Sequence, residues 1–201
     1  MSLKVGITGG IGAGKSYVGK IFKALGVPFY DADKQAKELM NTNIEIRRSL
    51  IEAFGPDVYT ETGLLDRAFL SSIVFNNPER LQTLNSIVHP IVIADAVDWS
   101  EAQTFDYSMK EAALMFESES YKTLNCTILV TAPNEVKIRR VMLRDKLPRD
   151  QVINRIAAQM TDEEKLTLAD FVIVNDNCVP LLPQVLQLHE QLLQRSRSCS
   201  K

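Results

Sequence analysis

The chain has 201 residues, of which 45% are hydrophobic and 24% charged, a balance typical of a globular protein with a buried core. No apolar run approaches the roughly 20 residues needed to cross a bilayer, so we expect a cytoplasmic protein with no membrane partner. The net charge of −2 disfavours DNA or RNA as the main partner, because such binding requires a broadly basic surface.

Short apolar runs alternate with segments of helical spacing along the whole chain, which predicts the α/β class. The runs predict a five-stranded, parallel, doubly wound sheet, and they are LKVGIT (3–8), VPFYDA (27–32), SMKEAALMF (108–116), CTILVTA (126–132) and DFVIVN (170–175). The gaps between them are uneven. We therefore expect a single domain, 1–201, with a core formed by 1–33, 105–136 and 165–201, a helical substrate-binding insertion at 34–104 and a helical lid at about 137–164.

A glycine-rich turn follows the first predicted strand and precedes a helical pattern. It matches the phosphate-binding pattern G-x-x-x-x-G-K-[ST] in the context that the pattern requires. Glycines let successive backbone N–H groups point into one concavity, and the helix N-terminus adds its dipole. The sequence therefore predicts a P-loop that binds ATP or GTP, with Lys15 on the phosphates and Ser16 on Mg²⁺. The predicted nucleotide-binding residues here are Gly9, Gly10, Ile11, Gly12, Ala13, Gly14, Lys15, Ser16 and Tyr17.

Two carboxylates, Asp31 and Asp33, come at the end of the second predicted strand, where ligands of such sheets bind. If the strand continues that far, both side chains lie on one face. The alternative is that one of them caps the following helix. We expect Asp33 to contact an acceptor hydroxyl and to orient it for phosphoryl transfer.

The predicted insertion offers three candidates for an acceptor pocket: Arg67, His89 and Trp99. A histidine before a proline is more often structural than a ligand, and the tryptophan is typical of a core. Pro90 should break or kink the long helical pattern around it.

The segment from Lys137 to Arg155 contains seven basic and two acidic residues, so it carries +5 while the rest of the chain carries −7. Lys137, Arg140 and Arg144 follow the spacing of one helical stripe. This pattern favours a mobile cationic flap over the phosphates, although a solvated helix face would give a similar pattern. After it, Thr161 and Glu164 have the spacing of a capping box.

The kind of phosphate-binding protein follows from what accompanies the loop. No guanine-reading N-K-x-D follows a strand, and ALMFE, ending in Glu117, only loosely matches the acidic strand end of a motor. An acceptor pocket, a hydroxyl-orienting aspartate and a cationic flap favour a small kinase.

Several segments together resemble the dephospho-CoA kinase family over about residues 4 to 189. They are GITGGIGAGKS, DADKQAKEL, GLLDRAFLSSIVFNNPERLQTLNSIVHPIV, LMFES, RRVMLRDKLPRDQVINRIAAQM and ADFVIVND. Two positions depart from the family's usual pattern: Tyr17 replaces a common Thr, and Ala113 replaces a common Pro before LMFE.

The resemblance implies ATP- and Mg²⁺-dependent phosphorylation of the ribose 3′-hydroxyl of 3′-dephospho-coenzyme A, the last step of coenzyme A synthesis. It implies a catalytic Asp33 as the base, with Lys15 and Arg140 also acting on the phosphates. Arg67 and His89 would lie in or near the acceptor pocket. Arg140 and Arg144 would belong to a lid over ATP, with Asn175 beside the adenine.

The residues themselves leave two alternatives open: a kinase for another small hydroxyl or nucleotide acceptor, and an ATP-binding regulatory protein without catalysis. The choice between a monomer and a small homo-oligomer also stays open.

Overall fold

A computed structural model of the chain describes residues 2–74 and 77–199. Its strands are β1 (Leu3–Thr8), β2 (Phe29–Asp31), β3 (Tyr107–Glu111), β4 (Cys126–Thr131) and β5 (Phe171–Val174). Its helices are α1 (Lys15–Ala24), α2 (Ala32–Thr42), α3 (Ile44–Phe54), α4 (Arg67–Val74), α5 (Pro78–Glu101), α6 (Asn134–Asp145), α7 (Arg149–Ala157), α8 (Asp162–Leu168) and α9 (Leu181–Cys199). Within the described residues, none of these helices has the length and apolar character to span a membrane.

The five strands form one parallel sheet in the order β2-β3-β1-β4-β5, which confirms the predicted fold class. β3 ends at Glu111, five residues before the end of the apolar run that predicted it. Met115 and Phe116 are nevertheless buried, because the chain turns back over the protein after the strand. An apolar run indicates that its residues are buried, but burial alone does not distinguish a strand from a packed turn.

The main core lies between one face of the sheet and the helices α1 and α9. Phe22 of α1 and Leu192 of α9 are fully buried against strand residues such as Ile7 and Val130. Complete burial of such side chains contributes about 2 kcal/mol each. This packing fixes α1 against the sheet, so the turn that joins β1 to α1 has a rigid support.

The chain divides into two compact units, one formed by 1–31 and 99–201 and the other by 32–98. In the second unit, the Asn43 side chain accepts the Ile46 N–H and so caps α3. Arg47 lies over the Tyr59 ring, 4.1 Å from its centroid.

The helix α5 continues through Pro90, so of the break or kink expected at this proline, the break does not occur. A proline in a helix removes one backbone N–H, which buried side chains on the same helix can offset. Val88, Val92 and Ala96 have the spacing of one helical face and are all buried. That continuous buried stripe accounts for the uninterrupted helix.

Candidate active site

The turn between β1 and α1 has a backbone that only glycine adopts easily. Gly12 and Gly14 have φ angles of +81° and +94°. A Cβ on Gly12 would lie 2.5 Å from the Lys137 carbonyl oxygen, and one on Gly14 would overlap the Asn175 side-chain amide. Gly14 directly precedes α1, whose first N–H groups have no acceptor within the helix. The turn therefore presents donors and the positive end of a helix dipole to an anion.

The two polar side chains that open α1 face different partners. Lys15 Nζ donates to the Gly9 carbonyl oxygen at 2.8 Å. The Ser16 hydroxyl donates to Glu111 Oε1 at 3.2 Å. Asp31 is the register neighbour of Glu111 on the adjacent strand, so two neighbouring strands end in carboxylates, one of which accepts from Ser16.

Glu111 was missed by sequence reasoning, which looked for an acidic residue after position 116. The signal was present, because Glu111 interrupts the apolar run that predicted β3. Glu117, the residue that was considered instead, lies 3.1 Å from Lys165 Nζ and accepts the Met160 N–H. Both contacts are thus with the segment before α8 and with α8 itself, and not with the loop.

Arg140, which the sequence predicts to be a lid residue over ATP, lies against the turn between β1 and α1. Its guanidinium donates to the Gly12 and Ala13 carbonyl oxygens at 3.3 and 3.4 Å. It also donates to Asn175 Oδ1 at 3.1 Å and to Asn177 Oδ1 at 2.6 Å. A cavity of about 470 Å³ opens beside Arg140 and Asn177.

Asn175, expected beside the adenine, is buried and donates to the Ala13 carbonyl oxygen at 2.7 Å. It therefore connects the end of β5 to the loop and to Arg140. Asn177 was not predicted, although it follows the same strand by three residues.

Arg144, the other arginine of the predicted stripe, is not brought to the loop. It donates to both oxygens of Asp145, at 2.7 and 3.0 Å, and its side chain is 62% exposed. These hydrogen bonds lower the pKa of Asp145 below its usual value. An expected role for Arg144 over ATP would require it to leave this partner.

The predicted capping box at Thr161 is confirmed, with both reciprocal hydrogen bonds to Glu164 present. Just before it, Gln159 Oε1 accepts the Ile11 N–H at 2.9 Å. The segment between α7 and α8 is thereby attached to the loop.

The predicted acceptor residues lie in the second unit. Asp33 is exposed in the first turn of α2, because β2 ends at Asp31. The condition for both aspartates to lie on one strand face is therefore not met. Arg67 is the exposed first residue of α4, and His89 is half-buried in α5. Trp99 belongs to the first unit, where its ring lies 5.3 Å from that of Tyr30.

Among the described residues, no group of three or more Asp, Glu, His or Cys side chains could enclose a metal ion. Mg²⁺ does not need one, because it commonly binds through one or two protein oxygens, substrate phosphates and waters. Ser16 with Glu111 and Asp31 fits that requirement.

Comparison with known proteins decides the family. A family model described as dephospho-CoA kinase matches residues 3–180. A dephospho-CoA kinase from Bacteroides fragilis is 37% identical over 196 residues, which are 97% of this chain and 95% of the relative. The chain belongs to the dephospho-CoA kinase family. This confirms the resemblance, and with it the expectation of a kinase that uses ATP with Mg²⁺.

Solved structures agree with membership of the dephospho-CoA kinase family. The dephospho-CoA kinase from Campylobacter jejuni has a TM-score of 0.71 and 29% identity, with 96% of this chain and 98% of that chain covered. The crystal structure of a Thermus thermophilus protein has a TM-score of 0.81 and 34% identity, with 96% and 97% covered.

Proposed function

We propose that the chain transfers the γ-phosphoryl group of ATP to the ribose 3′-hydroxyl of 3′-dephospho-coenzyme A, giving coenzyme A and ADP in the last step of coenzyme A synthesis. The observation that carries this proposal is the glycine turn before α1, with Arg140 at its carbonyls and Ser16 beside Glu111, in a chain that aligns with dephospho-CoA kinases over nearly its whole length.

ATP binds with its outer phosphates in the turn, where the loop N–H groups and the dipole of α1 stabilise negative charge. Lys15 exchanges the Gly9 carbonyl for phosphate oxygens. Arg140 stabilises charge that develops on the transferred group. The nucleoside lies towards Asn175, whose side chain already contacts the loop.

Mg²⁺, when bound, neutralises charge on the β- and γ-phosphates. Ser16 is its protein ligand in this proposal. Glu111 orients the Ser16 hydroxyl, and Asp31 with Glu111 offers acceptors for the waters that Mg²⁺ usually retains.

The acceptor is held by residues of the second unit. Asp33 accepts a hydrogen bond from the 3′-hydroxyl and takes its proton as the phosphoryl group is transferred. Its exposed position in the first turn of α2 leaves the carboxylate accessible to a ligand. Arg67 offers a forked cation for the phosphates of dephospho-CoA, and His89 adds a hydrogen-bonding ring.

The test is ADP production from ATP and Mg²⁺ with and without dephospho-CoA. We expect turnover only with that acceptor, and Asp33→Asn should lower kcat by about 10²-fold or more while ATP still binds. Asp57→Asn, which changes an exposed carboxylate of the same unit, serves as the control and should leave kcat unchanged. Unchanged turnover in Asp33→Asn would remove that residue from the mechanism. Turnover with a different alcohol, or with none, would refute the acceptor.

A further inference from the structure

Two oppositely charged side chains of the lid region meet beside the phosphate-binding turn. Lys137 Nζ lies 2.9 Å from Asp162 Oδ2, and the two side chains are only 4% and 14% exposed. Thr131, at the end of β4, donates its hydroxyl to the same carboxylate oxygen at 2.6 Å. The pair thus joins the start of α6, the start of α8 and the sheet.

The other oxygen of Asp162 faces the loop. A Cβ on Gly10 would lie 3.4 Å from Asp162 Oδ1 and 3.7 Å from Lys137 Nζ. Because Gly10 has no side chain, both charges stand directly against the loop backbone. Both side chains are mostly buried but line a cavity of about 550 Å³ beside the loop, so their charges are screened less than on the open surface and still respond to salt.

A carboxylate in this position opposes the binding of phosphate, and its effect would reach the outer phosphates of a nucleotide in the loop. The ammonium of Lys137 cancels that charge at hydrogen-bonding distance. Gln159 holds the Ile11 N–H independently of the pair, so the loop keeps a second attachment to the lid region when either charge is removed.

We propose that Lys137 is a positioning residue that sets the nucleotide affinity of the loop by neutralising Asp162 beside Gly10. It acts through Asp162 and does not touch the reacting atoms. The inference rests on the proposed use of this loop as the phosphate site for ATP.

The experiment compares Lys137→Met, Asp162→Asn and the double variant by the dissociation constants of AMP, ADP and ATP and by kcat. Lys137→Met leaves an uncancelled carboxylate at the loop, so the dissociation constant of ATP should rise roughly tenfold. The rise should grow from AMP through ADP to ATP and shrink at high salt. The double variant has neither charge and should bind ATP within about threefold of the parent protein.

Asp162→Asn leaves a buried ammonium beside the loop and should bind ATP at least as tightly as the parent. If this variant does not fold, the double variant still decides the matter, because it buries no unpaired charge. Thermal melting checks folding before any affinity is measured. Arg155→Met is the control, since it also removes one lid cation, but an exposed one whose partner is Asp145, and it should change ATP affinity less than twofold.

A structural role alone predicts a different result. Both single variants would then weaken all three nucleotides alike, and the double variant would be at least as impaired as either. That outcome overturns the inference, as does unchanged ATP binding in Lys137→Met. Lys15→Met separates the two proposals: if it too leaves ATP binding unchanged, the loop is not the phosphate site and the proposed function fails first.

Discussion

We predict that Lys110→Met stabilises the protein at neutral pH. Lys110 lies on β3 with only 6% of its surface exposed, between its register neighbours Gly6 and Tyr30. The space above Gly6 is filled by Met115 and Leu124, whose side-chain atoms lie 2.5 Å from an added Cβ position. Among the described residues, the ammonium has no hydrogen-bond partner. A buried, unpaired cation lowers stability, whereas methionine of similar length packs without charge.

The magnitude follows from the pKa of Lys110, which burial lowers from 10.5 to about 8. Each pKa unit corresponds to about 1.4 kcal/mol, so the charge costs about 3 kcal/mol near pH 7. Between pH 8 and 10.5 the unfolded chain keeps this proton while the folded chain releases it. The cost therefore falls as pH rises through that window, to about half near pH 9.5.

The assay is urea unfolding of both proteins, followed by circular dichroism near pH 7 and near pH 9.5. We expect Lys110→Met to have the larger free energy of unfolding at both pH values, with a gap that narrows by more than about 1 kcal/mol at the higher pH. Lys37→Met replaces an exposed lysine of α2 and should change stability by less than about 0.5 kcal/mol. A gap that is independent of pH, or a destabilised Lys110→Met, would show that Lys110 does not carry a buried unpaired charge.

Three further predictions concern other buried polar contacts and the loop. Glu117→Gln leaves Lys165, which is fully buried, without its counter-charge and should cost about 3 kcal/mol of unfolding free energy, measured by urea titration. Burial lowers the pKa of His189, whose Nδ1 lies 2.6 Å from the Tyr107 hydroxyl. Protonation of His189 should therefore destabilise the fold as pH falls below about 6.5. His189→Gln should lose less unfolding free energy than the parent protein between about pH 7.5 and 5. Gly12→Ala should lower kcat/KM by at least about tenfold with the fold retained in circular dichroism, because an L-residue at its positive φ costs about 1–2 kcal/mol even before steric overlap.

The phosphate-binding turn was predictable because its determinants are local. The pattern from Gly9 to Ser16 specifies the backbone, and neighbouring runs specify the strand and the helix. Glu111 was not predictable in the same way. Its partner Ser16 is distant in the sequence, and the apolar residues after the strand concealed where β3 ends.

In the insertion, the helices were predictable from the sequence but the acceptor pocket was not. The positions of Arg67 and His89 on helices follow from the sequence, but the pocket they would form depends on contacts among distant segments, which no local pattern specifies. Pro90 likewise shows that the local rule against proline inside a helix holds only when tertiary packing does not stabilise the helix. The buried stripe that includes Val88 outweighed the loss of one helical hydrogen bond.

The three cations of the predicted stripe differ in what cancels their charge. Lys137 is paired with Asp162, and Arg144 with Asp145. Arg140 donates only to carbonyl and amide oxygens, and within residues 2–74 and 77–199 it forms no ion pair. Asp176 nevertheless feels this charge, because backbone N–H groups and, to a lesser degree, Arg140 lower the pKa of its carboxyl group. An anion in the loop would meet a guanidinium that is partly balanced by Asp176 but is not held in a salt bridge. Spacing alone does not distinguish the three cations, whereas their partners do. The difference supports the proposed role of Arg140 at the transferred phosphoryl group.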